Sequence, residues 1–301
     1  LVATSNPNPS KKEQRTTATR GHGRRFAGVV LCAASVAFMW WFFVGTRIGQ
    51  LVDAIAMEAM SELVDTLGGY DKAVLGTVSV PSIAIIMVLA AAVALCRRRY
   101  ILGLRAVIVV AGTVLSVQGL KHYLLYRPSL GITNLLGNSF PSGHTAAAAA
   151  ATVALIMVVP HRWRSPIAWV GALFTSVMGL STLVNGWHHG SDVVASVLVA
   201  GAWALALSPL ETGRRTSGAG VQWGWVLSWA LFGAGVAILG AATVAVALSS
   251  AFRGGVGSSL LIVHFTRQGS LVGGGLALGM MALICGVTFL VMEEVDRLAS
   301  R

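Results

Sequence analysis

Three short polar clusters interrupt an otherwise apolar chain: Lys121 with Arg127-Pro128, Pro141-Ser142-Gly143-His144, and Ser181 with His188 and Asp192. His188 and Asp192 are four apart, so on a helix or at its entry they share a face. The carboxylate is then placed to accept the ring's Nδ1 proton, which leaves the other nitrogen free to attack an electrophile. His189, three residues from Asp192, competes for the same partner. Alone, an interfacial histidine ordinarily does no more than meet headgroups, so the weight of this pair rests on what joins it.

Pro141-Ser142-Gly143-His144 precedes the alanine run 146–151, which marks a helix N-terminus with Pro early and a hydroxyl nearby. Such an end is either a plain Ser-capped start or a cradle of unpaired N–H groups for an anion, with Gly143 permitting close backbone approach and His144 able to protonate a leaving oxygen. Lys121 and Arg127 add fixed positive charge, and the planar guanidinium suits bidentate contact with phosphate oxygens. Either cation by itself is explained as well by snorkelling to headgroups. Four groups of this chemistry meeting at one depth would make a phosphate-handling site.

What has to hold them is a membrane bundle. The chain has 301 residues, of which 55% are hydrophobic and 11% charged, with runs of about twenty apolar residues. Its net charge of +11 reads as loop lysines and arginines retained in the cytoplasm, which excludes nucleic acid as a partner. Cys32, Cys96 and Cys285 lie in separate spans without metal-ligand spacing, so neither disulfide nor metal is implied. Residues 1–25 are polar and read as a disordered cytoplasmic tail. The first span is longer than a signal-peptide core and is expected to be retained.

The apolar runs place eight helices near 26–46, 80–96, 101–123, 143–160, 166–187, 190–208, 223–250 and 270–292. The fold class is therefore all-α, a polytopic membrane bundle. With both termini inside, sixteen of the 22 basic residues face the cytoplasm. Arg47, Lys72, Lys121, Arg127, Arg253 and Arg267 stay outside, and the three polar clusters fall together on that outer side. Between the first two spans, residues 48–67 form a helix with Leu51, Ile55, Ala59 and Leu63 four apart, lying in the outer interface or packed on the bundle. Gly275 and Gly279 form a GxxxG suited to close helix packing.

These clusters resemble the three-part signature of the type 2 phosphatidic acid phosphatase superfamily, over roughly residues 45–208. The central Pro-Ser-Gly-His is intact at 141–144, and Ser181, His188 and Asp192 keep the spacing of the third part, which selects His188 over His189. Two positions depart from the pattern. Thr182 stands where the family has Arg, and five residues rather than six separate Lys121 from Arg127. Arg253 or Arg267 is expected to replace the missing charge.

The resemblance implies a six-helix phosphatase core at 26–208 and a two-helix membrane extension at 209–301. It implies metal-independent, cofactor-free hydrolysis through phosphohistidine, with His188 as nucleophile, His144 as acid and Asp192 orienting His188. Lys121, Arg127, Ser142, Gly143 and Ser181 would hold the phosphate. The implied substrate is a lipid phosphate or diphosphate such as a polyprenyl carrier, met among membrane lipids at the extracytoplasmic face of a bacterial plasma membrane. The alternatives are a phosphotransferase of the same fold or a catalytically silent lipid-binding or transport protein.

Overall fold

In lipid, a segment has to satisfy its own backbone hydrogen bonds, so long apolar runs become helices. The computed structural model describes residues 11–65, 80–132, 137–207, 219–252, 258–266 and 270–299. Among them the helices are α1 (Lys11–Met39), α2 (Arg47–Asp65), α3 (Val80–Cys96), α4 (Tyr100–Gly119), α5 (Gly143–Val158), α6 (His161–Val184), α7 (Gly190–Leu207), α8 (Ala219–Phe252), α9 (Ser258–Thr266) and α10 (Leu271–Ala299). π-helical turns extend α1 over Trp40–Val44 and α4 over Leu120–Leu124.

Six of these are long and apolar enough to cross a membrane: α1, α4, α6, α7, α8 and α10. The other two expected spans are shorter: the 16-residue α5 and, in α3, the apolar stretch Met87–Cys96. At 1.5 Å per residue α5 extends only about 24 Å. It is nevertheless the centre of the bundle, with α3, α4, α6 and α7 packed around it. Its run of alanines, Ala146 to Ala151, is at most 4% exposed. Small side chains let the neighbouring backbones approach closely.

One expectation is corrected, one open alternative is decided and one helix is new. Residues 11–25, read as part of a disordered tail, are helical and continue into α1. Lys, Arg, Gln and Ala are good helix formers, and an established apolar helix propagates into such a sequence more easily than a new one nucleates. The helix after the first span is packed into the bundle rather than laid on its surface: Leu51, Val52 and Ile55 are at most 2% exposed and α2 contacts α6, α7, α8, α9 and α10. The short helix α9 was not expected at all. Leu261 and Phe265 anchor it in the core, while its length is well under a membrane span.

The C-terminal helices are not an appendage. α10 packs along α8 and also against α2, α5, α6 and α7. A Cβ on Gly279 would stand 3.1 Å from the Leu239 backbone nitrogen, and one on Gly235 would stand 2.5 Å from that of Leu283. The close crossing of α8 and α10 therefore runs through Gly235 and Gly279, whereas Gly275, the other half of the GxxxG, sits at an ordinary 3.9 Å from Ile238.

Candidate active site

The first polar cluster leaves α4 through its π turn, which carries Lys121, and runs on to Arg127-Pro128. Asn138 pins this segment to the strand of chain leading into α5: its Nδ2 donates to the carbonyls of Lys121 (3.1 Å) and Leu125 (3.0 Å), and its Oδ1 accepts from Phe140 N at 3.1 Å. From the other side Gln50 Nε2 donates to Val44 O (2.8 Å) and Pro128 O (2.9 Å), tying α2 to the same segment. The Phe140–Pro141 peptide is cis.

Ser142 is the N-cap of α5. Its hydroxyl accepts from Thr145 N at 3.4 Å and lies 3.1 Å from the Thr145 hydroxyl, with both residues fully buried. The plain capping role thus occupies the Ser142 side chain. Gly143 and His144 follow in the first turn, where backbone N–H groups have no intrahelical partner. A Cβ added at Gly143 would meet nothing within 4 Å. No atom of the described residues needs that space, so the absence of a side chain there leaves the approach to the backbone open.

The third cluster is delivered by the turn between α6 and α7. Gly186 takes φ +66°, and its N–H reaches back to Leu183 O at 3.0 Å, closing α6 in a left-handed cap that a side chain would strain. The Thr182 carbonyl then accepts from both Trp187 N (3.1 Å) and His188 N (3.2 Å), which fixes the start of the His188 turn. Gly190 admits α10 directly beneath this turn, since a Cβ there would clash with the Met280 thioether.

Asp192, fully buried, is the hub. One carboxylate oxygen pairs with Arg127 Nη2 at 3.2 Å. The other accepts from His189 N at 3.0 Å and stands 3.4 Å from His188 Nδ1. The last distance is long for a hydrogen bond, as catalytic contacts commonly are without substrate. The Asp192 carbonyl accepts from Ser142 N at 3.1 Å, and Ser196 Oγ lies 2.7 Å from both the Ser142 and Asp192 carbonyls. α5 and α7 are thereby locked at the level of the two motifs.

His144 completes the group. Its ring lies 5.8 Å, centroid to centroid, from Trp187 and within Coulombic reach of His188 and Lys121. Arg127 keeps two guanidinium nitrogens, Nε and Nη1, buried and without a hydrogen-bond partner among the described residues. Unused donors on a charged group that is only 5% exposed demand an acceptor.

The structure therefore brings Lys121, Arg127, Gly143, His144, His188 and Asp192 to one end of the bundle. Ser181 is there too, at the close of α6, with its carbonyl accepting from Asn185 Nδ2 at 2.8 Å. Thr182 does not face outward as a clamp would. It is fully buried and its hydroxyl bonds back to Gly179 O at 2.8 Å. Arg253 and Arg267, expected to replace the missing Arg, lie outside the described residues.

One residue escaped the sequence reading. Asp53, on α2, is fully buried and accepts from Ser191 N (3.2 Å) and Ser191 Oγ (2.5 Å), one residue from Asp192. No motif contains it, and its acidic neighbours Glu58 and Glu62 are ordinary exposed residues.

Residues 102–215 match the family model described as the PAP2 superfamily. That segment is similar to the PAP2 superfamily. All three polar clusters fall inside the matched segment, while α2 with Asp53 and the α8 to α10 region fall outside it. No curated protein and no solved structure matches the chain.

Proposed function

We propose that the protein is a lipid phosphate or diphosphate phosphatase working through a phosphohistidine intermediate at the extracytoplasmic face of a bacterial plasma membrane. The observation that carries this reading is the shared carboxylate. Asp192 pairs with a guanidinium through one oxygen and faces the His188 ring, 3.4 Å away, with the other, so one buried group relates the phosphate ligand to the nucleophile.

In the first step the free nitrogen of His188 attacks phosphorus while the bond from phosphorus to the lipid oxygen breaks. His144 gives its proton to that departing oxygen. Arg127, Lys121 and the backbone N–H of Gly143 take up negative charge spread over the equatorial oxygens. In the second step water attacks the phosphohistidine, its proton passes to His144, the P–N bond breaks, and inorganic phosphate leaves. Asp192 stabilises the imidazolium that His188 becomes on attack. Ser142 contributes by fixing the helix start, and Ser181 by closing α6 beneath the pocket.

A lipid substrate is favoured by the apolar space beside the site. A cavity of ≈590 Å³ between α1, α4 and α7 is lined by Trp40, Leu120, Leu124, Leu125, Leu198 and Trp203. Leu120 and Leu124 belong to the π turn that carries Lys121. A tail lodged there would hold its headgroup at the polar cluster.

Phosphate release from a polyprenyl phosphate by the protein purified in detergent, with and without EDTA, tests the reading. Turnover that survives EDTA and disappears in His188→Ala and His144→Ala supports it. Strict metal dependence, or full turnover in both variants, overturns it. An added acceptor alcohol that captures the phosphoryl group in place of water would turn the reaction into phosphoryl transfer.

A further inference from the structure

Next to the proposed acid stands an aromatic side chain that the chemistry above leaves unused. The Trp187 ring lies 5.8 Å from that of His144, centroid to centroid, at an interplanar angle of 48°. Its backbone is pinned: Gly186 closes α6 at φ +66°, and the Thr182 carbonyl accepts from Trp187 N as it does from His188 N. The indole and the proposed nucleophile are therefore successive residues of one fixed turn. Even so, the Trp187 side chain is not packed away, for the residue is 51% exposed.

Trp40 and Trp203 show what a structural indole does in this fold. Trp203 Nε1 donates to Ser116 Oγ at 3.0 Å, and Trp40 Nε1 donates to Tyr126 O at 3.3 Å. The Trp187 indole N–H has no acceptor among the described residues. A tryptophan at a helix mouth is commonly a headgroup anchor. Its place beside His144 gives this one a narrower task.

A general acid works within about 2.6–3.2 Å of the oxygen it protonates. In a phosphate ester that oxygen carries the first carbon of the departing alcohol, so the carbons next in line pass along whatever flanks the acid. His188 and Lys121, both within Coulombic reach of His144, are assigned to phosphorus and its oxygens. Of the three side chains about His144, Trp187 alone offers an apolar face.

Resting on the phosphatase reading, we propose that Trp187 is a specificity residue, an apolar wall against which the first carbons of the leaving alcohol lie, so that an alkyl ester is held more tightly than phosphate itself. A polyol ester, whose first carbons carry hydroxyls, gains less from the same wall, because a hydroxyl turned against it goes without a hydrogen bond. The wall acts on the carbons nearest the leaving oxygen, whichever groove takes the rest of the tail.

The test is competition with polyprenyl monophosphate hydrolysis in detergent by butyl phosphate and by inorganic phosphate, at a pH where both are dianions. Both competitors dissolve in water, so a mere headgroup anchor does not tell them apart. With the wild type, butyl phosphate competes about tenfold more tightly than inorganic phosphate, the worth of roughly two buried methylenes. Trp187→Ala closes this gap: the constant for butyl phosphate weakens to that for inorganic phosphate, which is itself unmoved. Trp187→Phe keeps the gap. Where Trp187→Ala does not accumulate as folded protein, Trp187→Gln puts a polar side chain in the same place and closes the gap likewise.

A wild type without the gap, a gap that survives loss of the indole, or both constants weakening together overturns the inference. A wild type that releases no phosphate from the lipid removes the phosphatase reading and this inference with it, whereas an active enzyme with any of those three patterns removes this inference alone.

Discussion

The two ends of the bundle use the same residue types to opposite effect. At the end remote from the site, Arg25 Nε donates to Leu205 O at 3.0 Å and its Nη2 to Ala206 O, and Arg97 donates to Val158 O at 2.7 Å. Arg24 pairs with Glu294 at 2.6 Å with 39% and 24% of their side chains exposed. These cations satisfy the orphan carbonyls of α7 and α5 and otherwise meet solvent or headgroups. At the site end, Arg127 and Asp192 are 5% and 0% exposed, and the guanidinium has donors to spare. A basic residue at a helix end is thus a cap where water screens it. On the proposed function, the one buried beside His188 and Asp192 is a phosphate ligand instead.

That contrast has measurable consequences, the largest at the reacting groups. On the proposed function, replacing His188 by Ala lowers kcat by on the order of 10⁴-fold or more, since no step would survive without the nucleophile. His144→Ala costs about 10²- to 10⁴-fold, the usual range for a lost general acid. Thermal unfolding in detergent should show both variants folded.

Next in size is Arg127→Ala, which strands the fully buried Asp192. Removing one partner of a buried pair costs about 3–5 kcal/mol, so this variant loses stability as well as turnover. A melting temperature equal to wild type would mean that the pair contributes far less than its burial implies.

Gly143→Ala separates substrate approach from folding. None of the described residues occupies the space its methyl would take, so on the proposed function the melting temperature holds while KM for the lipid phosphate rises. An unchanged KM would remove Gly143 from the phosphate cradle. The smallest effect belongs to the opposite end: Arg24→Ala breaks a partly exposed ion pair worth at most ~1 kcal/mol and leaves kcat and KM alone. A large loss of activity there would dissolve the distinction between the two ends.

Much of this was legible before any coordinates. Expected spans such as 101–123 and 190–208 lie within a few residues of the helices Tyr100–Leu124 and Gly190–Leu207, because lipid forces the length and polarity of a crossing segment. The motif spacing placed His188 four residues before Asp192 and set Ser142 at a helix start, both local relations. Asp53 was not legible, since its partner Ser191 is 138 residues away in sequence and an acid in a half-polar loop helix looks like its exposed neighbours. The burial of Thr182 and the passage of α10 beneath Gly190 were hidden for the same reason.

By itself, then, the sequence determined a polytopic helical membrane protein with three polar clusters at helix ends, since those properties follow from local composition and from spacing along one chain. Only the tertiary structure decided that α2 enters the bundle and that Asp192 joins Arg127 to His188. It also decided that a second acid and a second imidazole stand buried behind them. Charge pairing in a low-dielectric interior depends on which distant side chains are pressed together, and no periodicity along the chain records that.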